Sequence, residues 1–94
     1  MVIVIIEGWV NGQWVQEAFA GSGDATCEML KKQIQSMYPG VRSCDFMAAA
    51  RISANQLQVI TKETQLRAMP LGVDGYIHLE ISPSLRALGL QPQQ

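Results

Sequence analysis

His78 is the only histidine in the sequence, and it is the first residue to consider for acid/base or metal chemistry. In the alternating segment from Tyr76 to Ile81, Glu80 follows two positions later, so both side chains project from the same side of a predicted strand. An imidazole beside a carboxylate can transfer a proton or bind a metal ion. Either site needs a further convergent group, and no spacing brings one of the remaining acidic residues to this pair, including Glu7, Glu17, Asp45 and Asp74. We therefore expect no catalytic, metal or cofactor site, and we interpret the pair as the polar face of a strand.

The two cysteines are the next candidates for chemistry. Cys27 and Cys44 have no companion pair, which is not the pattern of a zinc site. Cys27 falls in the first turn of a predicted helix, where the helix dipole can lower the pKa of a thiol and create a nucleophile. Its helical spacing from Leu30 and Ile34 favours the core instead, and the alternation of Cys44 with Phe46 predicts the same for Cys44. We expect both thiols to be free.

The segment Gly21-Ser22-Gly23-Asp24 precedes the predicted helix and resembles the start of a phosphate-binding loop. It lacks the lysine and the longer glycine spacing of such loops. Ser22 or Asp24 is expected to cap the helix by accepting hydrogen bonds from its free amides.

Trp9 and Trp14 are the residues most suited to binding another protein, because tryptophan is enriched among residues that dominate interface energy. The dipeptide Asn11-Gly12 predicts a type I′ turn between strands Val2 to Val10 and Gln13 to Ala20. That loop length places Trp9 opposite Trp14 beside the turn. The pair has two open interpretations, local stabilisation of the hairpin and an exposed binding anchor.

The predicted hairpin is apolar on both sides, which is unusual for a hairpin with one wet face. One side carries Val2, Val4, Ile6, Val15 and Phe19, and the other carries Ile3, Ile5, Trp9, Trp14, Ala18 and Ala20. One helix can cover only one of these sides.

Helical spacing of Cys27, Leu30, Ile34, Met37 and Tyr38 predicts an amphipathic helix from Asp24 to Tyr38, ended by Pro39 and Gly40. Residues 41–52 alternate as in a strand but also contain a helix-forming alanine run, and we favour the strand. We expect further strands at 57–61 and 76–81, while 62–71 is ambiguous. Ser82 and Pro83 are expected to begin a short helical turn through Leu88, ended by Gly89.

The composition limits the classes of partner. Charged residues make up only 16% of the chain, and the net charge is -1. The basic residues are scattered rather than clustered, so we expect no nucleic acid as a partner. The apolar opening from Met1 to Ile6 is too short for an export signal or a membrane span, so we expect no membrane contact and a cytoplasmic location. Few surface charges mean little repulsion between copies, which favours a homo-oligomer or a stable protein partner.

The order of hairpin, helix and strands resembles the ubiquitin-like β-grasp arrangement, with Val2 to Ala20 as its hairpin, Asp24 to Tyr38 as its helix and Tyr76 to Ile81 as its last strand. Carriers in that superfamily end in a flexible Gly-Gly whose carboxylate is activated. This sequence ends Leu90-Gln91-Pro92-Gln93-Gln94. The resemblance therefore implies a carrier or adaptor that lacks the Gly-Gly terminus.

We expect a single α+β domain over residues 1–89, with a ββαββ-like order of mostly antiparallel strands, and a flexible Gln-rich tail over residues 90–94. The leading functional hypothesis is a non-enzymatic protein-interaction module that binds itself or another protein through Trp9, Trp14, Ile3 and Ile5. The alternatives are a β-grasp-type carrier or adaptor and, third, a small enzyme that uses His78 and Glu80 or Cys27.

Overall fold

The N-terminal hairpin has the predicted turn and register. The structure is a computed structural model that describes residues 1–83. Strands β1 (Val2–Val10) and β2 (Gln13–Gly21) pair antiparallel, with Trp9 opposite Trp14 and Val10 opposite Gln13. Asn11 and Gly12 have φ angles of 52° and 79°, as a type I′ turn requires. The predicted turn and register are therefore confirmed, and β2 ends one residue later than predicted, at Gly21.

The helix α1 (Cys27–Met37) begins three residues later than predicted, and its cap is neither Ser22 nor Asp24. The Thr26 side chain accepts a hydrogen bond from the Met29 amide at 3.4 Å. The first free amides of α1, those of Cys27 and Glu28, donate to the backbone carbonyls of residues 64 and 62, each at 2.9 Å. These bonds satisfy the amide donors that a helix start leaves unpaired, so they fix where α1 begins. No helix within residues 1–83 is long and apolar enough to cross a membrane.

The alternating segments form three further strands, which confirms the strand interpretation of residues 47–52. They are β3 (Met47–Ser53), β4 (Gln56–Ile60) and β5 (Ile77–Ser82). The beginning of the predicted 41–52 strand is different, because Ser43–Asp45 forms a 3₁₀ turn. Ser82 is the last residue of β5 and pairs with Met47. The predicted helical turn beyond Pro83 and the tail lie outside the described residues.

The five strands form one mixed sheet in the order β2-β1-β5-β3-β4. The neighbours β1 and β5 run parallel, whereas the other three pairs are antiparallel. A parallel pair needs a long crossover connection, and the chain between β1 and β5 supplies it. The fold is therefore α+β, and it keeps the element order on which the resemblance to the β-grasp arrangement rests.

The hydrophobic core lies between α1 and one face of the sheet. Leu66 and Met69, in and just after the 3₁₀ turn Leu66–Ala68, are also buried, so the ambiguous segment 62–71 packs against the core as a turn. The buried cluster draws on the hairpin, the helix and the last strand, with members Val4, Ile6, Val10, Val15, Leu30, Ile34, Ile77, Leu79 and Ile81.

Candidate protein-interaction surface

The sheet has a second face, turned away from α1, which we call the open face. Side chains alternate along a strand, so the residues between the core positions project to this side. The apolar residues of the open face come from four strands and are Ile3, Ile5, Trp9, Trp14, Ala18, Ala20, Met47, Ala49, Leu57 and Val59. The prediction that one helix covers only one side of the hairpin is confirmed.

Trp9 and Trp14 form the most prominent apolar feature of the open face. Their ring centroids are 5.4 Å apart and the ring planes are tilted by 58°. This geometry suits a favourable aromatic pair, as the local-stability interpretation requires. The rings nevertheless stay 60% and 42% exposed. Packing against each other leaves enough indole surface for a second contact, so the two interpretations of the pair are compatible.

The rest of the open face carries further apolar residues, which the cross-strand pair of Glu7 and Gln16 separates from the tryptophans. Ile3 and Ile5 are half-buried in the centre of the hairpin, next to the small side chains of Ala18 and Ala20. On β3 and β4, at the other edge of the sheet, the side chains of Met47 and Val59 are 38% and 41% exposed. The contribution of β3 and β4 was not assigned from sequence, because alternation shows which residues share a face but not which face the helix covers.

Gly8 allows β5 to approach the strand that carries Trp9. It has φ of 156°, and a Cβ at this position would overlap the carbonyl oxygen of Ile81. A hollow of about 370 Å³ lies beside this contact, between the tryptophan pair and the end of β5. Sequence reasoning missed Gly8, although an isolated glycine inside a strand pattern is a known signal of close backbone approach.

His78 and Glu80 lie on the open face as predicted, but each has a different partner. The His78 Nε2 atom is 2.8 Å from Oδ2 of Asp74, and Glu80 forms an ion pair with Arg51. The expectation that Asp74 lies far from His78 is wrong, because the turn at Gly72 to Gly75 folds Asp74 back against the strand that follows it. These pairs form a polar strip between the hairpin and the outer strands.

Asp74 also holds its own turn in place. Its Oδ1 atom accepts a hydrogen bond from the Tyr76 amide at 3.0 Å. This bond, with the hydrogen bond to His78, holds the pKa of the Asp74 carboxyl below its usual value. These hydrogen bonds stabilise the turn, and they account for the position of Asp74 beside His78 in the polar strip.

The two cysteines differ in environment, and both are free thiols. Cys27 is buried, and burial raises the pKa of its thiol, although nearby Lys31 opposes the shift. The core prediction for Cys27 is confirmed. The same prediction for Cys44 is wrong, because Cys44 lies on the exposed 3₁₀ turn while Val41 and Phe46 on either side are buried.

The segment Gly21 to Asp24 is not arranged as a phosphate cradle. Asp24 forms an ion pair with Arg67, and its amide donates to the Ser22 hydroxyl at 3.2 Å. Among residues 1–83, no group of three or more histidine, cysteine or acidic side chains is arranged to hold a metal ion. Comparison of the sequence with protein-family models and with curated proteins gives no match.

Proposed function

We propose that the protein is a non-enzymatic interaction module whose open face binds a second copy or another protein, with Trp9 and Trp14 as the anchors. The observation that carries this proposal is the pair of neighbouring indoles left 60% and 42% exposed at the end of the hairpin. Tryptophan supplies a large buried area at low entropic cost, which is why it dominates many interfaces.

The surroundings of the indoles support this role. Beyond the pair of Glu7 and Gln16, the hairpin carries a second apolar patch made of Ile3, Ile5, Ala18 and Ala20. The ion pair of Arg51 with Glu80 lies on the neighbouring strands. An apolar centre with a polar rim is the usual composition of a protein interface. The low content of charged residues, 16%, adds little repulsion against a partner. A cytoplasmic location is part of the proposal.

The direct experiment replaces both anchors, Trp9→Ala with Trp14→Ala, and measures association by light scattering and by affinity capture from the native cell. We expect association to weaken by about a hundredfold or more, since an anchor truncation costs ~2 kcal/mol or more and the costs of two neighbouring anchors do not add fully. The free energy of unfolding should fall by only about 1–2 kcal/mol, because the rings are partly exposed.

A matched control keeps the test specific. Met37→Ala removes a side chain that is 45% exposed, comparable to Trp14, but lies on α1 on the other side of the molecule. It should leave association unchanged. Equal loss of association and of stability in the tryptophan variant would instead support a purely structural role for the pair.

A carrier or adaptor of β-grasp type is the second candidate. The central parallel pairing of β1 with β5, next to the N-terminal hairpin, favours it over unrelated α+β arrangements. Intact-mass analysis of the protein from its native host tests this candidate. A chain processed to end at Gly89 would support it, and an unprocessed chain would leave the interaction module as the proposal.

A further inference from the structure

The outer strand β2 has backbone groups that point away from the sheet. The two-residue turn makes Val10 and Gln13 a hydrogen-bonded pair, so every second residue from Gln13 bonds inward to β1. The residues that alternate with these, including Gln16, Ala18 and Ala20, point their backbone amides and carbonyls away from the sheet. Within residues 1–83, the Tyr38 hydroxyl approaches the Gln16 carbonyl at 3.5 Å, and no hydrogen bond from outside the ladder reaches the backbone of Ala18 or Ala20.

An apolar groove runs beside this part of β2. It has a volume of about 400 Å³ and lies between β2 and α1. Phe19, Leu66, Met29 and Leu30 line its floor and its helix side. Its one charged lining residue, Asp24, is already paired with Arg67. The groove therefore offers space for uncharged apolar side chains.

We propose that this edge binds an extended, uncharged segment of a partner protein, which adds to the sheet as a sixth strand. The backbone of the segment would pair with Ala18 and Ala20, and its alternate side chains, all on one face, would enter the groove. The outward backbone groups of β2 and the apolar groove select the same kind of ligand. The backbone groups can pair with an extended strand, and the groove accepts apolar side chains at every second position of that strand.

A partner segment fits this edge better than a second copy of β2. If two copies paired through this strand, the side chains entering each groove would be Glu17 and Phe19 of the other copy. Glu17 already accepts a hydrogen bond from the Tyr38 hydroxyl at 2.7 Å, and Phe19 packs against its own core. A carboxylate placed in an apolar groove would also be costly. The segment must therefore bring its own apolar side chains.

This inference goes beyond the proposed open-face function and does not depend on it. The probe is an acetylated and amidated peptide with two valines at alternate positions, flanked by threonine and serine with a lysine at each end. We expect it to shift the amide resonances of Ala18, Ala20, Met29 and Leu30 in the full-length ¹⁵N-labelled protein. Amide exchange at Ala18 and Ala20 should slow by about tenfold or more at saturation.

Two peptide controls separate strand addition from general stickiness. A peptide N-methylated on the residues that face β2 loses its donors, and a peptide with aspartate in place of both valines loses its groove contacts; neither should cause these shifts. Absence of shifts with millimolar valine peptide would overturn the inference. Shifts confined to the indoles of Trp9 and Trp14 would also overturn it, while leaving the open-face proposal intact.

A pair of matched variants tests the groove itself. Met29→Glu places a charge in the groove, whereas Met37→Glu makes the same change on the same helix outside the groove lining. We expect Met29→Glu to weaken peptide binding by about tenfold or more and Met37→Glu to change it less than about twofold. Trp9→Ala with Trp14→Ala should leave peptide binding unchanged. Equal effects of the two methionine variants would contradict a binding site in the groove.

Discussion

The helix-covered face and the open face of the sheet come from the same five strands, but their side chains meet different surroundings. On the covered face, Ile77, Leu79 and Ile81 of β5 retain at most 3% exposure. On the open face, Trp9 and Trp14 of the neighbouring hairpin remain 60% and 42% exposed. Both faces carry large apolar residues, so the difference follows from the presence of one helix on one side.

The polar groups of the two faces differ in the same way. The covered face contributes apolar side chains to one continuous core. On the open face, four ionisable side chains form two pairs, His78 with Asp74 and Arg51 with Glu80, and Glu7 lies opposite Gln16. These pairs separate the apolar hairpin from the apolar outer strands. A face that combines exposed apolar area with satisfied polar groups is suited to a contact with another molecule.

The largest expected effect comes from truncating the covered face. Leu79→Ala should lower the free energy of unfolding by about 2–5 kcal/mol, because it leaves a cavity where Leu79 is 1% exposed. Ile5→Ala is the matched change on the open face of the adjacent strand, and it should cost only about 1 kcal/mol. Urea unfolding of both variants measures the difference. Equal costs would mean that the open face is covered as fully as the other.

The next effect concerns the contact between β1 and β5. Gly8→Ala should cost about 2–4 kcal/mol, because the added methyl group meets the Ile81 backbone rather than a movable side chain. Gly12→Ala is the control, since its Cβ would meet no atom within 4 Å and only its positive φ is unfavourable. That variant should cost about 1–2 kcal/mol in thermal unfolding. A smaller cost for Gly8→Ala than for Gly12→Ala would show that the strands are not in close contact there.

The smallest effect concerns the turn beside the polar strip. The pKa of Asp74 is lowered, first by the hydrogen bond from the Tyr76 amide and then by the one to His78. A carboxyl with a lowered folded pKa stabilises the fold fully above its unfolded pKa of about 3.9, and this contribution is lost as the pH falls through the folded pKa. The stability difference between wild type and Asp74→Asn should thus be constant above about pH 5 and shrink below about pH 4. A difference that grows on acidification would contradict this assignment.

Local signals were sufficient to predict the hairpin and its face assignment. The Asn11-Gly12 turn fixes the pairing of residues on either side of it, so Trp9 opposite Trp14 followed from loop length alone. Alternation likewise located the last strand and the outward position of His78. Both features depend on residues that are close in sequence.

Three features were not predicted from the sequence. The carbonyls of residues 62 and 64, which accept the first amides of α1, are distant in sequence and act together with the Thr26 cap to place the helix start at Cys27. Cys44 is exposed because the chain forms a 3₁₀ turn before it enters β3. The contact of Asp74 with His78 depends on how a turn folds back. The helix start thus involves contacts that are distant in sequence, whereas the other two features are turns whose geometry the alternation of residue types does not encode.

The most direct test uses the intrinsic fluorescence of the two tryptophans, the only ones in the chain. In dilute solution, where light scattering shows a monomer, we predict that acrylamide quenches both indoles efficiently and that quenching declines as a partner or a second copy binds. A monodisperse monomer whose tryptophans emit at short wavelength and resist acrylamide would contradict the claim that the open face is uncovered.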